Sequence, residues 1–144
     1  MKRDPALIPL SHDHQHGLAV AYVLRHDDDL AAARERFLAF YAEEGRRHFE
    51  IEEQVLLEVI ADVIAPTDPD VARVYEEHAE LRSRVEKMAL ESEPPPDLIR
   101  ETGDLLEGHI RHEERTLFPR IEAELDEERL AELGMLLAEA EAAD

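Results

Sequence analysis

Cysteine is absent from the chain. That excludes disulfides, zinc–thiolate sites, iron–sulfur clusters and thiol nucleophiles, so any metal must be held by nitrogen and oxygen. No apolar run approaches the ~20 residues needed to span a bilayer. Glycine is scarce, at five residues in 144, and no alternating β-branched run occurs, which argues against strands. Basic residues are also few: 16 Lys and Arg stand against 36 Asp and Glu, for a formal net charge of −20. Such a surface repels phosphate, which argues against nucleic acid and against an anionic membrane as partners. The opening MKRDPALIPLSHDH carries a basic pair, Lys2-Arg3, but no apolar stretch of the kind a secretory signal needs. The cytoplasm is therefore the expected compartment.

What is present is the vocabulary of helices. Ala, Leu, Glu and Arg dominate, the residues that lose least on entering a helix. The length suits one domain, 1–144, and 44% hydrophobic residues suffice for a core. Pro5 and Pro9 mark an irregular N-terminal arm, after which Ser11 caps a first helix to about Asp27. The run Asp27-Asp28-Asp29 turns the chain into a long second helix from about Leu30 to Ile64, loosened at Gly45. Pro66 ends it. Asp68 caps and Pro69 opens a third helix to about Leu90. Pro94-Pro95-Pro96 is a stiff loop before a fourth helix, Asp97 to about Leu125, with a kink expected at Pro119. Asp126 caps a last, shorter helix ending near Ala142. Short connections make antiparallel neighbours. The expected architecture is all-α: an up-down-up-down four-helix bundle over about 10–125, with a short additional C-terminal helix over about 126–142.

Eight histidines in so acidic a chain direct attention to their faces. A helix turns about 100° per residue, so residues four apart project together. His48 and Glu52 form such a pair on the stripe of Phe37, Tyr41, Val55 and Val59. His109 and Glu113 form another, among Leu98, Leu105, Leu106 and Leu117. His78 lies among Val71, Val74, Leu81 and Val85. In the first helix His12, His14 and His16 alternate and cannot share a face. His14, with Leu18, Ala21 and Leu24, is the inward one. His26 and Glu114 read as solvated surface, Glu53 and Glu114 lie about 100° beyond the inward carboxylates, and His112 sits at a stripe edge with its role open.

The second and fourth helices also echo each other. His48-Phe49-Glu50-Ile51-Glu52-Glu53 and His109-Ile110-Arg111-His112-Glu113-Glu114 share a histidine, an apolar neighbour and a paired Glu-Glu. That suggests a site of rough twofold character between them. One buried histidine is usually a satisfied core residue. Four helices each burying one, two of them burying a carboxylate as well, is different, because an unpaired buried carboxylate costs several kcal/mol. A metal centre satisfies all six groups: His14, His48, Glu52, His78, His109 and Glu113. Nitrogen and carboxylate ligands suit iron, manganese or zinc. Six ligands are too many for one tetrahedral zinc and suit a pair of metals bridged by carboxylates.

At these residues the chain resembles the hemerythrin family, in particular bacterial hemerythrin-like domains with the His-His-Glu cation-binding pattern. The matching pieces are Asp13-His14, His48 to Glu52, His78, and His109 to Glu113 with Leu117-Phe118-Pro119, over roughly residues 10–122. The resemblance implies a bundle holding two non-haem iron ions, with Glu52 and Glu113 bridging and the histidines as terminal ligands; manganese or zinc are the substitutes. It departs from the family's oxygen carriers at one ligand. Those use two histidines four apart in the third helix, whereas His78 has Val74 and Arg82 at that spacing. Tyr75, His112, His16, Glu44 or a water are the candidates for the missing position. The implied ligand is oxygen, peroxide or nitric oxide, bound for sensing, storage or detoxification. The alternatives are a di-iron oxidase or peroxidase, and an iron storage or delivery protein. No DNA-binding, kinase or methyl-accepting segment accompanies the domain, so a separate redox or signalling partner is expected.

Overall fold

Helix ends fall largely where the chain supplies its own caps. In the computed structural model, which describes residues 2–143, Asp29, Asp68 and Asp126 each accept a hydrogen bond from a backbone N–H of the next turn. Met1 and Asp144, the ends of the expected 1–144 span, lie outside the described residues. Helix α1 is Ile8–His26. A second rod, α2 (30–59), joins α-helical Leu30–Phe40, Arg46–Ile51 and Leu57–Val59 through π-helical turns at Tyr41–Gly45 and Glu52–Leu56. Helix α3 is Pro69–Leu90. The fourth rod, α4 (96–124), joins Pro96–His112 and Phe118–Glu124 through a π turn at Glu113–Leu117. Helix α5 is Glu127–Ala142. No strand occurs among the described residues.

Two boundaries differ from the sequence reading. Helix α1 starts three residues before Ser11, with Pro9 in its first turn, where the missing N–H costs nothing. Ser11 caps nothing and donates its hydroxyl to Glu114 instead, at 2.7 Å. The α2 rod stops at Val59, and irregular turns carry buried Ile60 and Ile64 to Pro66.

Contacts along the rods fix the topology. Ser11 meets Glu114 while Arg25 meets Asp104, so α1 and α4 run antiparallel. Arg82 meets Glu53 and Arg34 meets the backbone of Glu91, so α2 and α3 do too. Arg120 on Asp68 and Arg84 on Glu101 set the same relation for α3 and α4. The bundle is thus up-down-up-down. Helix α5 lies along α2, with Arg129 on Asp62 at one end and Arg47 donating to the carbonyls of Ala140 and Glu141 at the other. Its Leu130, Leu133 and Leu137 complete the apolar core at that end of the bundle.

The π turns reshape the buried stripe. Each admits one residue more than an α turn and rotates the residues beyond it. On α2 the core residues after Glu52 are therefore Leu56 and Ile60, not Val55 and Val59, which are only partly buried. Two apolar clusters result, one containing Leu10, Leu56, Val74 and Leu117, the other Val20, Leu81, Leu106 and Ile110. Between them every rod crosses a polar layer.

Helices α1 and α4 approach closely at Gly103. A Cβ there would stand 2.9 Å from the carbonyl oxygen of Ala21 and 2.9 Å from Leu24 Cβ. Neither atom is at the end of a flexible side chain, so the helices would have to separate. Gly103→Ala is expected to destabilise the protein by about 1–3 kcal/mol, an overpacking cost. Urea unfolding of the metal-free protein measures it, and unchanged stability would show that the interface yields freely.

Candidate metal centre

The polar layer contains His14 from α1, His48 and Glu52 from α2, His78 from α3, and His109 and Glu113 from α4. None of the six is more than 8% exposed. They form two groups within reach of a metal ion: His14, His48, Glu52 and Glu113, and His78, His109, Glu52 and Glu113. Both carboxylates belong to both groups. Glu52 turns Oε2 toward His48 Nε2 (3.2 Å) and Oε1 toward His78 Nε2 (3.1 Å). Glu113 turns Oε2 toward His14 Nε2 (2.8 Å) and Oε1 toward His109 Nε2 (3.4 Å).

The rings are aimed by a further ring of carboxylates. His14 Nδ1 lies 2.6 Å from Glu114, His48 Nδ1 3.1 Å from Asp13, His78 Nδ1 2.6 Å from Glu53 and His109 Nδ1 3.0 Å from Glu77. An ionised carboxylate only accepts, so Nδ1 carries the proton in each ring. Each Nε2 then faces inward as a donor atom, the arrangement that orients metal-bound histidine. The Nε2 atoms of His14 and His48 are 3.1 Å apart, as are those of His78 and His109. Two nitrogens each about 2.1 Å from one ion, at right angles, stand about 3 Å apart. All four oxygens of Glu52 and Glu113 are buried without a hydrogen-bond donor. Facing lone pairs and orphaned anionic oxygens in one layer fit a metal-binding site.

Without metal, protons take over part of this work. Burial lowers the His48 pKa, but the charge of Glu52 and the bond to Asp13 override it and carry it to about 10. For His78 burial is likewise outweighed, by the Glu52 and Glu53 carboxylates beside it, and the value rises to about 9. His14 also rises well above its ordinary value, as Glu113 and Glu114 outweigh burial. The two inner carboxylates diverge. Burial raises Glu113, and the like charge of Glu52 raises it further. Burial opposes ionisation of Glu52 too, but the His48 charge, with Glu113 and His14 beside it, holds it well below the carboxylate range.

Several expectations need correction. Glu114 is not solvated surface: it holds His14, and its side chain is 25% exposed. Glu53 holds His78 in the corresponding way. A helical wheel treats both as turned away, yet each reaches the histidine of a neighbouring rod. Asp13 and Glu77 complete the set, and Glu77 is the member that sequence reasoning misses. A signal for it exists as an acid directly before the inward histidine, in Asp13-His14 and again in Glu77-His78. His112 is buried and lies 2.8 Å from the carbonyl of Asp70 through Nε2. His16 pairs with Glu44 toward solvent, their side chains 46% and 49% exposed. Tyr75 packs against the apolar cluster near Val74. His112, His16 and Glu44, three of the candidates for the missing ligand, belong to neither group. Arg82, at the position four after His78, binds Glu53 at 2.6 Å instead. Of the two positions four from His78, Val74 lies in the apolar core and Arg82 fixes the carboxylate behind His78.

The echo between α2 and α4 extends to all four rods. Asp13-His14 with His48, Glu52-Glu53 corresponds to Glu77-His78 with His109, Glu113-Glu114. Glu52 and Glu113 each open a π turn. Fold and site together define a metal-binding helical bundle. The sequence matches the family model of the hemerythrin HHE cation-binding domain over residues 9–121, and the chain belongs to that family. Among curated proteins and among solved structures none matches it significantly. No described helix is long and apolar enough to cross a membrane.

Proposed function

We propose that this is a non-haem di-iron protein that binds oxygen or a related small molecule, peroxide or nitric oxide. The observation that carries the reading is the sharing of Glu52 and Glu113 between two histidine pairs, with one oxygen of each carboxylate turned to each pair. Glu52 and Glu113 would bridge, His14 and His48 would complete one position, and His78 and His109 the other. Iron bound there supplies a change of oxidation state and coordination positions that the protein leaves open. Manganese or zinc are the substitutes the donor set allows.

The chain's own contribution is selection. A cavity of about 20 Å³ adjoins His14, His48 and His109, walled by Gly17, Phe40, Phe49, Leu106 and Ile110. That is room for about one water-sized molecule. Its apolar walls favour a small, weakly hydrated ligand over an anion. Of the other pair only His109 borders this cavity, and Phe49 stacks on His78 at 4.1 Å between ring centres. Ligand is therefore expected on the side of His14 and His48.

Protein produced with ample iron is expected to carry close to two irons per chain, and oxygen or nitric oxide is expected to change its optical spectrum. A reproducible single zinc with no iron would overturn the di-iron reading. One contact favours a second reading, a peroxidase or oxidase: Tyr41 lies 6.1 Å from Phe49, which stacks on His78. Turnover of peroxide with a reducing dye, lost in Tyr41→Phe, would favour it. We extend the main reading to the cytoplasm and to a separate redox or signalling partner; cell fractionation checks the first.

A further inference from the structure

Three of the four carboxylates behind the histidines carry an arginine. Two of these arginines belong to helix α3 itself: Arg82 on Glu53 (2.6 Å) and Arg73 on Glu77 (3.2 Å). Both support the His78–His109 pair. The His14–His48 pair is supported differently. Asp13, behind His48, is 38% exposed and has no arginine partner among the described residues. Glu114, behind His14, is held by Arg3, which comes from the arm preceding α1.

Arg3 reaches His14 by two routes. Its Nη2 donates to the Glu114 carbonyl (2.7 Å) and lies 3.3 Å from Glu114 Oε1. Its guanidinium also stands 5.4 Å over the ring of Phe118, which stacks on the His14 imidazole at 5.5 Å and 18°. The arm is tied down independently. Arg3 Nη1 binds Glu122 at 2.6 Å, and the Asp4 backbone N–H donates to the other oxygen of Glu122. The basic pair at the start of the sequence thus supplies a positioning residue for one half of the centre.

We propose that the N-terminal arm, through Arg3, sets how tightly the His14–His48 position holds its metal ion, and leaves the His78–His109 position unaffected. The inference rests on the two-ion reading above. Arg3 fixes the carboxylate that fixes the imidazole, from a segment that precedes the first helix. Losing a group that orients a ligand typically costs 10–100-fold in metal affinity. Arg3 acts one step further out, so about tenfold is expected.

Anaerobic titration of the metal-free full-length chain with ferrous ion, followed by calorimetry, tests this. The wild type is expected to take two ions. Arg3→Gln is expected to weaken one of them about tenfold and leave the other unchanged. Arg3→Lys, which keeps the charge, is expected to restore most of the loss. In a His48→Ala background, where only the other position is intact, Arg3→Gln is expected to change nothing. Arg82→Gln in that background is expected to weaken the remaining ion. Circular dichroism of each metal-free variant confirms the helical fold. Equal weakening of both ions in Arg3→Gln, or no weakening, overturns the proposal while two ions on the wild type leave the main reading intact. Fewer than two ions on the wild type overturns both.

Discussion

Replacing Glu52 by glutamine is expected to remove both metal ions, where replacing a histidine removes one. His14 faces only one group, but the Glu52 oxygens address both histidine pairs. An amide presents one neutral oxygen and one N–H₂ in their place. It cannot supply a shared anion, and its donor would point at a position meant for a cation. The same holds for Glu113→Gln. Metal counts after desalting are expected to fall close to zero for both variants and to one for His14→Ala. Glu53→Gln and Glu114→Gln should fall between, with affinities lowered about 10–100-fold, because they loosen a ring without removing a ligand. A Glu52→Gln protein that keeps one tightly held ion would show that the carboxylate serves a single position.

Stripping the metal is expected to reverse the way stability responds to pH. In the metal-free protein His48 and His78 titrate at about 10 and about 9, against 6.5 for the unperturbed group. A value raised by folding means that the native state binds the proton more tightly than the unfolded chain. The resulting stability is complete below 6.5 and is lost as pH rises through 9 and 10. His14 adds to the same trend. Glu52, depressed, contributes above the ordinary carboxylate range and loses its contribution only in acid. Alkali therefore weakens the metal-free fold, by an amount on the order of several kcal/mol, since each tenfold change in proton affinity is worth about 1.4 kcal/mol. With metal present the sign inverts, because histidine ligates only when neutral and protons compete with the ion. Saturation at about a thousand times the dissociation constant adds about 4 kcal/mol. Melting temperatures across this range, with and without chelator, are expected to diverge as pH rises. Parallel curves would show that the histidines do not exchange protons for metal.

The rods and the inner groups are legible in the sequence because both depend on local periodicity. Asp29, Asp68 and Asp126 announce helix starts by their own chemistry, and the apolar company of His14, His48, His78 and His109 marks an inward face. Periodicity fails where a turn departs from 3.6 residues. On a regular helix the stripe of α2 continues through Val55 and Val59, and the π turn at Glu52–Leu56 moves it to Leu56 and Ile60. It fails again for Glu53 and Glu114, since a wheel drawn on one helix knows nothing of the helix beside it. Their histidine partners lie 25 and 100 positions away along the chain, in the register of another rod. Ser11 misleads for a related reason: a capping residue type is present, but a long-range partner, Glu114, takes its hydroxyl.

The support behind the histidines also crosses between the two helical hairpins. Glu53, on the first hairpin, holds His78 on the second, and Glu114, on the second, holds His14 on the first. Each hairpin orients only one of its own imidazoles, His48 through Asp13 and His109 through Glu77, and depends on the other hairpin for the second. A chain cleaved in the turn at 65–68 would yield two fragments, each with one unsupported ring and one bridging acid, and metal would act as the selector for correct reassociation. Two copies of one such hairpin, paired about a common axis, would generate the same constellation, so the fold is in effect a dimer written into a single polypeptide.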